Sequence, residues 1–253
     1  MPTSTPLGPF RSLVRTTLHR IRPFQPFLSP DALAINQARQ DHLASLGLDL
    51  EGRSVIEVGA GIGLHTAFFE SRGCDVLSTD GRAENVEEIR RRHPDRQARQ
   101  LDLDDAAAVR SAGHFDVMYC YGTLYHLSQP EAFLAAAADI CDLVLLETCV
   151  TGGDELELRP ISEVAANKTQ ASHGTGCRPT RTWVMAELSK DWGHAYISRT
   201  QPAHEQFPVD WSTVPTTPST YDLTRAIFVG SHDPIDSDAL VEQPLEVQER
   251  FHG

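Results

Sequence analysis

Three glycines, one strand carboxylate and one strand-end aspartate are the residues here whose types and spacing point to chemistry. The run Val55–Gly63 reads VIEVGAGIG: an apolar strand carrying Glu57 breaks into Gly59, Gly61 and Gly63, and a helical pattern follows at once. Asp80 closes the next apolar run. Glycines at this spacing make a tight turn and let a ligand approach the backbone. A dinucleotide fingerprint would need a third glycine where Leu64 stands. Glu57 beside the turn would also repel a pyrophosphate, which argues against a nicotinamide-dependent oxidoreductase. A ligand with an ammonium and a sulfonium, and no phosphate, is attracted instead. S-adenosylmethionine (SAM) answers that description.

The elements that must position these residues follow from periodicity. Strands are expected at 54–58, 75–79, about 97–101, 115–120 and 142–148, with helices near 63–71, 84–92, 104–111 and 130–139. Such alternation means an α/β fold with a parallel sheet and helices on both faces. Ligands bind outside the carboxyl ends of such strands, which directs attention to Gly59–Gly63, Asp80, Asp102, Cys120–His126 and Glu147–Cys149. His126 follows the fourth strand and has a pKa suited to base work. His204 and Glu205 lie in the loop after the sixth strand, with Asp210 and Trp211. Arg178 and Arg181 flank Pro179 at a helix start, where an arginine can hold a carboxylate or phosphate. Glu147, ending strand five, is placed to face a pocket, whereas Trp183 and Tyr196 read as core. His173, Cys177, His194 and His204 show no metal-ligand spacing, so no metal is expected.

At 253 residues and 40% hydrophobic, the chain can bury one substantial core. Its formal charge of −13 disfavours a large nucleic-acid surface. Residues Met1–Pro30 carry Arg11, Arg15, Arg20 and Arg22 and no acid, leaving the remainder at −17. Five cysteines without a C-x-x-C pair fit a reducing cytoplasm, and no apolar run reaches transmembrane length. Phe10, Leu13, Val14, Leu18 and Ile21 predict a short amphipathic helix. Ser29 and Pro30 cap a second helix running to about Leu46. The expected organisation is an N-terminal helical arm or cap over 1–50 and a cofactor-binding domain over 51–230. Residues 150–179 would form an irregular lid or substrate insertion, and 231–253 an acidic tail outside the core.

Taken together, E-x-G-x-G-x-G, Asp80, the acid Asp102 of LDLDD, and FDVMYCYGTLYHL (Phe115–Leu127) resemble the class I SAM-dependent methyltransferases over about Leu50–Gly230. The last motif is similar to that of the small-molecule branch. The resemblance implies a Rossmann-like seven-stranded sheet in order 3-2-1-4-5-7-6, its last strand antiparallel. It places Gly59, Gly61 and Gly63 under the methionine part of SAM, with Glu57 holding the ammonium directly or through water. Asp80 would take the ribose hydroxyls and Asp102 the adenine amino group, with Leu103 against the ring. Cys120 and Tyr121 would line the methionine side.

Leu124–His126 with RPTRTWV (Arg178–Val184) also resembles tRNA wobble-uridine modifying enzymes, but the acidic core argues against a shared substrate. Arg199–Trp211 is similar to a segment of uncharacterised bacterial methyltransferases. The expected activity is methyl transfer to an oxygen or nitrogen of a small polar molecule, a sugar or natural-product intermediate. His126 and His204 are the base candidates, with Tyr121, Tyr125, Glu147, Arg178 and Glu205 toward the substrate. An RNA methyltransferase using the basic arm and a non-catalytic SAM-binding protein are the alternatives, and the oligomeric state is open.

Overall fold

A computed structural model describes residues 24–166, 169–171, 173–219 and 223–253. The amphipathic helix expected over residues 10–21, with its arginines, lies outside the described residues. After a single 3-10 turn at Gln25–Leu28, helix α1 spans Pro30–Ser45. Ser29 starts it by accepting from the Ala32 N–H at 3.2 Å, with Pro30 in the first position, where no N–H is needed. The expected alternation then unfolds as β1 (Ser54–Val58), α2 (Thr66–Glu70), β2 (Asp75–Asp80), α3 (Ala83–Arg92), β3 (Gln97–Gln100), α4 (Ala106–Arg110), β4 (Phe115–Tyr121), α5 (Pro130–Ala138) and β5 (Cys141–Cys149).

Beyond β5 come a hairpin of β6 (Leu158–Ser162) and β7 (Thr175–Pro179), helix α6 (Arg181–Trp192), β8 (His194–Ser198) and β9 (Thr200–Gln201). Then follow β10 (Arg225–Ser231), β11 (Leu240–Val241) and β12 (Glu249–Arg250). The main sheet runs β3-β2-β1-β4-β5-β10-β8-β11. Its first five strands are parallel, and β10 is antiparallel to both of its neighbours. With β8 as the sixth strand and β10 as the seventh, the order is the one expected, extended by one edge strand.

The strand period of two divides the core evenly. Ile56, Met118, Leu146 and Phe228 face one side, against α5 and α6; their neighbours Val55, Val117, Leu145 and Ile227 face the other, with Phe69 and Leu43. All are buried, which a parallel sheet covered on both faces requires. No helix among the described residues is long and apolar enough to cross a membrane.

Three expectations are corrected. The helix expected from residue 63 begins at Thr66, because the positive φ of Gly61 and Gly63 keeps the chain in the turn. The segment 150–179 is not wholly irregular: β6 and β7 pair antiparallel, Leu158 opposite Pro179 and Ser162 opposite Thr175. The tail is not outside the core either. It supplies β11, and Gln248 is buried, its Oε1 accepting from Gln201 at 2.9 Å and Trp211 Nε1 at 2.5 Å while its amide donates to the Ser198 carbonyl. Acidic composition masked one buried amide whose hydrogen bonds are all made within the fold.

Glu147, on β5, ties the cap to the sheet. Fully buried, it accepts from Arg39 of α1 at 2.6 Å and from Arg225 of β10 at 2.9 Å. Burial alone would raise its pKa, but the Arg225 and Arg39 guanidinium groups outweigh that and hold the carboxyl below the ordinary range. Removing one partner of a buried pair leaves uncompensated charge, at a cost of about 3–5 kcal/mol. Glu147→Gln should therefore lower Tm by roughly ten degrees in calorimetry. Because the folded pKa is depressed, this stabilisation is present above the unfolded carboxyl value, about 4.3, and is lost as the pH falls further. A variant with wild-type Tm at neutral pH would contradict the assignment.

Candidate active site

The carboxyl ends of β1, β2 and β4 open into a cavity of about 420 Å³, within the ordinary range for small-molecule sites. The start of the cap (Pro26 to Arg39), the β6–β7 hairpin and the approach to β10 cover it.

The glycine turn forms one wall. A Cβ on Gly59 would lie 2.1 Å from Thr123 Oγ1, and one on Gly61 would lie 2.7 Å from the Phe27 ring. Both residues also hold positive φ, so no side chain fits at either position. Asp80 locks the turn to β2. Its Oδ2 accepts from the Gly61 N–H at 2.9 Å, and its Oδ1 from the Arg82 N–H at 2.8 Å and Asn85 Nδ2 at 3.1 Å. Burial raises its pKa, partly offset by those hydrogen bonds. Asp102 and Leu103 continue the wall. Asp102 is half-buried, with His173 Nε2 2.9 Å from its Oδ2. Asp104 accepts from the backbone N–H groups of Ser128 and Gln129, each at 2.9 Å. Asp102, Asp104 and His173 also form a convergent group of metal-ligand types among the described residues, but Asp104 is already occupied by those amides.

The opposite wall carries Tyr121, Tyr125, His126 and Arg178, all anticipated, and Arg39 and Arg225, which were not. His126 Nδ1 lies 2.5 Å from Oε2 of Glu163, which also accepts from the Ala171 N–H at 2.7 Å. Burial lowers the pKa of His126, and Glu163 offsets this only in part. Burial works against the Glu163 carboxylate too, but His126 and the Ala171 amide hold its pKa below the usual range. The pair is thus a neutral imidazole donating Nδ1–H to a carboxylate. Nε2 then carries the lone pair, with no hydrogen-bond partner among the described residues.

Tyr125 accepts from Arg225 Nη2 at 3.1 Å, and the guanidinium carbons of Arg178 and Arg225 each lie 5.0 Å from its ring centre. His65 lines the cavity beside the turn and bonds Tyr119 at 2.7 Å. Burial, aided by Arg39, lowers its pKa to about 3, so it stays neutral.

Several expected site residues stand elsewhere. Glu57 is buried under the turn, where Thr66 and Ser78 donate to it at 2.6 and 2.9 Å. Burial pushes its pKa to about 7. Thr66 and Ser78 cover it, so direct contact with an ammonium in the cavity is corrected. Cys120 is fully buried by the same alternation that turns Tyr121 inward, and burial pushes its thiol up. Glu147 stands behind the wall, occupied by two arginines. Gly63 closes the turn without lining the cavity.

His204 and Glu205 lie outside the wall: His204 Nδ1 accepts from the Gln206 N–H at 3.2 Å, and Glu205 is exposed. Asp210 caps a short 3-10 turn by accepting from Ser212 at 3.0 Å. Arg181 stacks 3.9 Å over the Trp211 ring and donates to the Leu245 carbonyl at 2.6 Å, so it is structural. Trp183 and Tyr196 are buried, as expected.

Sequence reasoning missed Glu163, Arg39, Arg225 and Thr123. Glu163 lies in a stretch without a period, 37 residues from its partner. A signal did exist for Arg39, which falls four residues after Ile35 and four before Leu43, on the apolar face of α1.

A methyltransferase domain family matches residues 32–184. The ubiquinone biosynthesis O-methyltransferase of Psychrobacter arcticus is 29% identical over 130 residues, 47% of this chain and 49% of that protein. Its counterpart from Cereibacter sphaeroides is 24% identical over 231 residues, 90% and 78% of the two chains. The chain thus spans about half the length of the first of these relatives. Among solved structures, the N-terminal domain of EvdMO1, crystallised in the presence of S-adenosylhomocysteine (SAH) and D-fucose, superposes with a TM-score of 0.57 at 21% identity, covering 80% of this chain and 83% of that one. Magnesium protoporphyrin IX methyltransferase from Synechocystis, with bound SAH, gives 0.54 at 16% identity, covering 88% and 100%. At such identities the likeness is one of fold. The family match takes in the glycine turn, Asp80 and His126 alike, and on it the chain belongs to the methyltransferase domain family.

Proposed function

We propose that this enzyme methylates a hydroxyl oxygen of a small molecule, with His126 as general base oriented by Glu163. The observation that carries the reading is the His126–Glu163 pair in the cavity wall, its imidazole neutral and Nε2 uncommitted. Oxygen is preferred over nitrogen because a hydroxyl must lose its proton on methylation, which gives such a base a task. The named O-methyltransferase relatives agree. The net charge of −13 favours a small molecule over RNA. A sugar or natural-product intermediate is of suitable size.

The residues present fit the cofactor. Gly59 and Gly61 would lie under its methionine part, where Cβ atoms would fill the cradle. Asp80 would take a ribose hydroxyl: it already accepts three hydrogen bonds from the protein, and of a carboxylate's about four lone-pair sites one remains, on Oδ2. Asp102 and Leu103 would meet the adenine. Arg39 stands beside the end of β4, its Nη2 3.2 Å from where a Cβ of Gly122 would lie, and it would face the cofactor carboxylate together with Tyr121. Bound SAM supplies an electrophilic methyl group on a sulfonium. The chain does the rest: the cap and hairpin keep water out, and Nε2 of His126 takes the hydroxyl proton. Glu163, held by the Ala171 amide, fixes the ring tautomer and stabilises the imidazolium that forms.

Asp80→Ala should weaken SAM and SAH binding by on the order of a hundredfold in calorimetry, through loss of a charge-assisted hydrogen bond and of the carboxylate that locks the glycine turn; unchanged affinity would sink the cofactor placement. His126→Ala should reduce kcat by about 10²–10⁴, the usual share of a general base, with SAM affinity preserved. Undiminished SAH release from a screened hydroxylated acceptor would remove His126 from the chemistry. Activity should rise with pH through a histidine pKa below 6.5. Glu163→Gln removes the charge that holds this pKa up, so its acid limb should move to lower pH while the plateau falls. A plateau equal to wild type would show that Glu163 does not orient the base.

A further inference from the structure

The inner end of the cavity contains more positive charge than its own carboxylates neutralise. Among the described residues there, Arg39, Arg178 and Arg225 meet Glu147 and Glu163, with His126 neutral. Three cations face two anions. SAM brings one carboxylate, one ammonium and one sulfonium, so its binding adds a further positive charge.

Unmade hydrogen bonds point the same way. Arg178 is 3% exposed, yet its Nε has no acceptor. Its Nη1 donates to the Cys177 and Tyr125 carbonyls at 2.8 and 3.3 Å, and Glu163 stands 3.6 Å away. Arg39 Nε and the Tyr121 hydroxyl are likewise buried without partners. An orphaned buried donor costs about 1–3 kcal/mol, so several in one wall indicate an acceptor that arrives with the ligand. Arg39 and Tyr121 lie by the end of β4, where the cofactor carboxylate would sit. Arg178 lies on the far side, over Tyr125. All three Arg225 nitrogens are bonded, to Gln206, Glu147 and Tyr125. Tyr125 accepts from Arg225, so its own hydroxyl proton remains to be donated.

We infer that the methyl acceptor is itself an anion, a hydroxylated small molecule bearing a carboxylate that Arg178 and the Tyr125 hydroxyl hold at the inner end of the cavity. This rests on the methyltransferase reading and supplies the class of its substrate. The carboxylate would occupy the orphaned Arg178 donor and offset the excess charge. The same field would favour ionisation of the acceptor hydroxyl next to His126.

The test is calorimetry on the full chain saturated with SAH, so that the cofactor's own carboxylate is already placed. The probes are 4-hydroxybenzoate, its methyl ester and 4-hydroxybenzamide. The acid should bind saturably and at least about tenfold more tightly than either neutral probe, the factor one charge-assisted hydrogen bond supplies. Arg178→Gln should abolish that preference and Arg178→Lys keep part of it, with SAH affinity close to wild type in both. Equal binding of acid and ester overturns the inference, as does no saturable binding of the acid up to its solubility limit. So does an Arg178→Gln variant that keeps the preference, or one that loses SAH instead, which would assign the arginine to the cofactor carboxylate. Failure of the wild-type chain to bind SAH is a different result, and it counts against the methyltransferase reading itself.

Discussion

One carboxylate with no access to water organises the site. Glu147 is reached from α1 by Arg39, 108 residues away in sequence, and from β10 by Arg225, 78 residues away. A buried acid of this kind persists only if its partners are fixed, and fixing them places both guanidinium groups in the cavity wall. The cap helix, the central strand and the antiparallel strand therefore share one electrostatic joint. Through Arg225 it extends to Tyr125, and through the Tyr125 ring to Arg178.

The hairpin brings the second essential group. Glu163 follows β6 directly, and its carboxylate meets His126 from above the sheet. Arg82, at the end of β2, donates to the carbonyls of Ala165 at 2.8 Å and Gln170 at 3.1 Å, pinning the hairpin's connecting loop over the cofactor wall. The same covering excludes water and keeps His126 neutral, because burial penalises the imidazolium more than the carboxylate restores it. The hairpin and the His126 ring are thus coupled: lifting the hairpin would take away the carboxylate that holds Nδ1.

Positive charge at the inner end and carboxylates at the outer end divide the cavity by function. Asp80 and Asp102 border the half that suits a ribose and an adenine, which offer hydroxyl and amino donors. Arg39, Arg178 and Arg225 border the half in which a sulfonium and an acceptor would meet. A guanidinium near a bound sulfonium is unfavourable unless an anion lies nearby, which ties the nature of any acceptor to the arginines.

Local signals carried much of the fold. The glycine turn, the strand-end acid Asp80 and the period-two apolar runs specify a parallel α/β sheet, since each depends on backbone geometry or side-chain alternation within a few residues. From them follow the positions of Tyr121, Tyr125 and His126 at and beyond the end of the fourth strand, whereas the strand order through β10 was implied by the family resemblance. The same alternation, applied more strictly, would have turned Cys120 away from the cavity, whereas Glu57 shares the face of Tyr121 and is kept out by Thr66 and Ser78 covering it. What no local pattern contains is which distant charges share a buried space. Glu147 read as a pocket acid until Arg39 and Arg225 closed on it, and His204 read as a base until its loop folded outside the wall. Glu163 had no signal at all before the hairpin formed. Burial and pairing are properties of the assembled chain, so the sequence by itself determined the glycine turn and the sheet that carries it, and only the tertiary structure decided which carboxylate meets His126 and which arginines meet in the cavity wall.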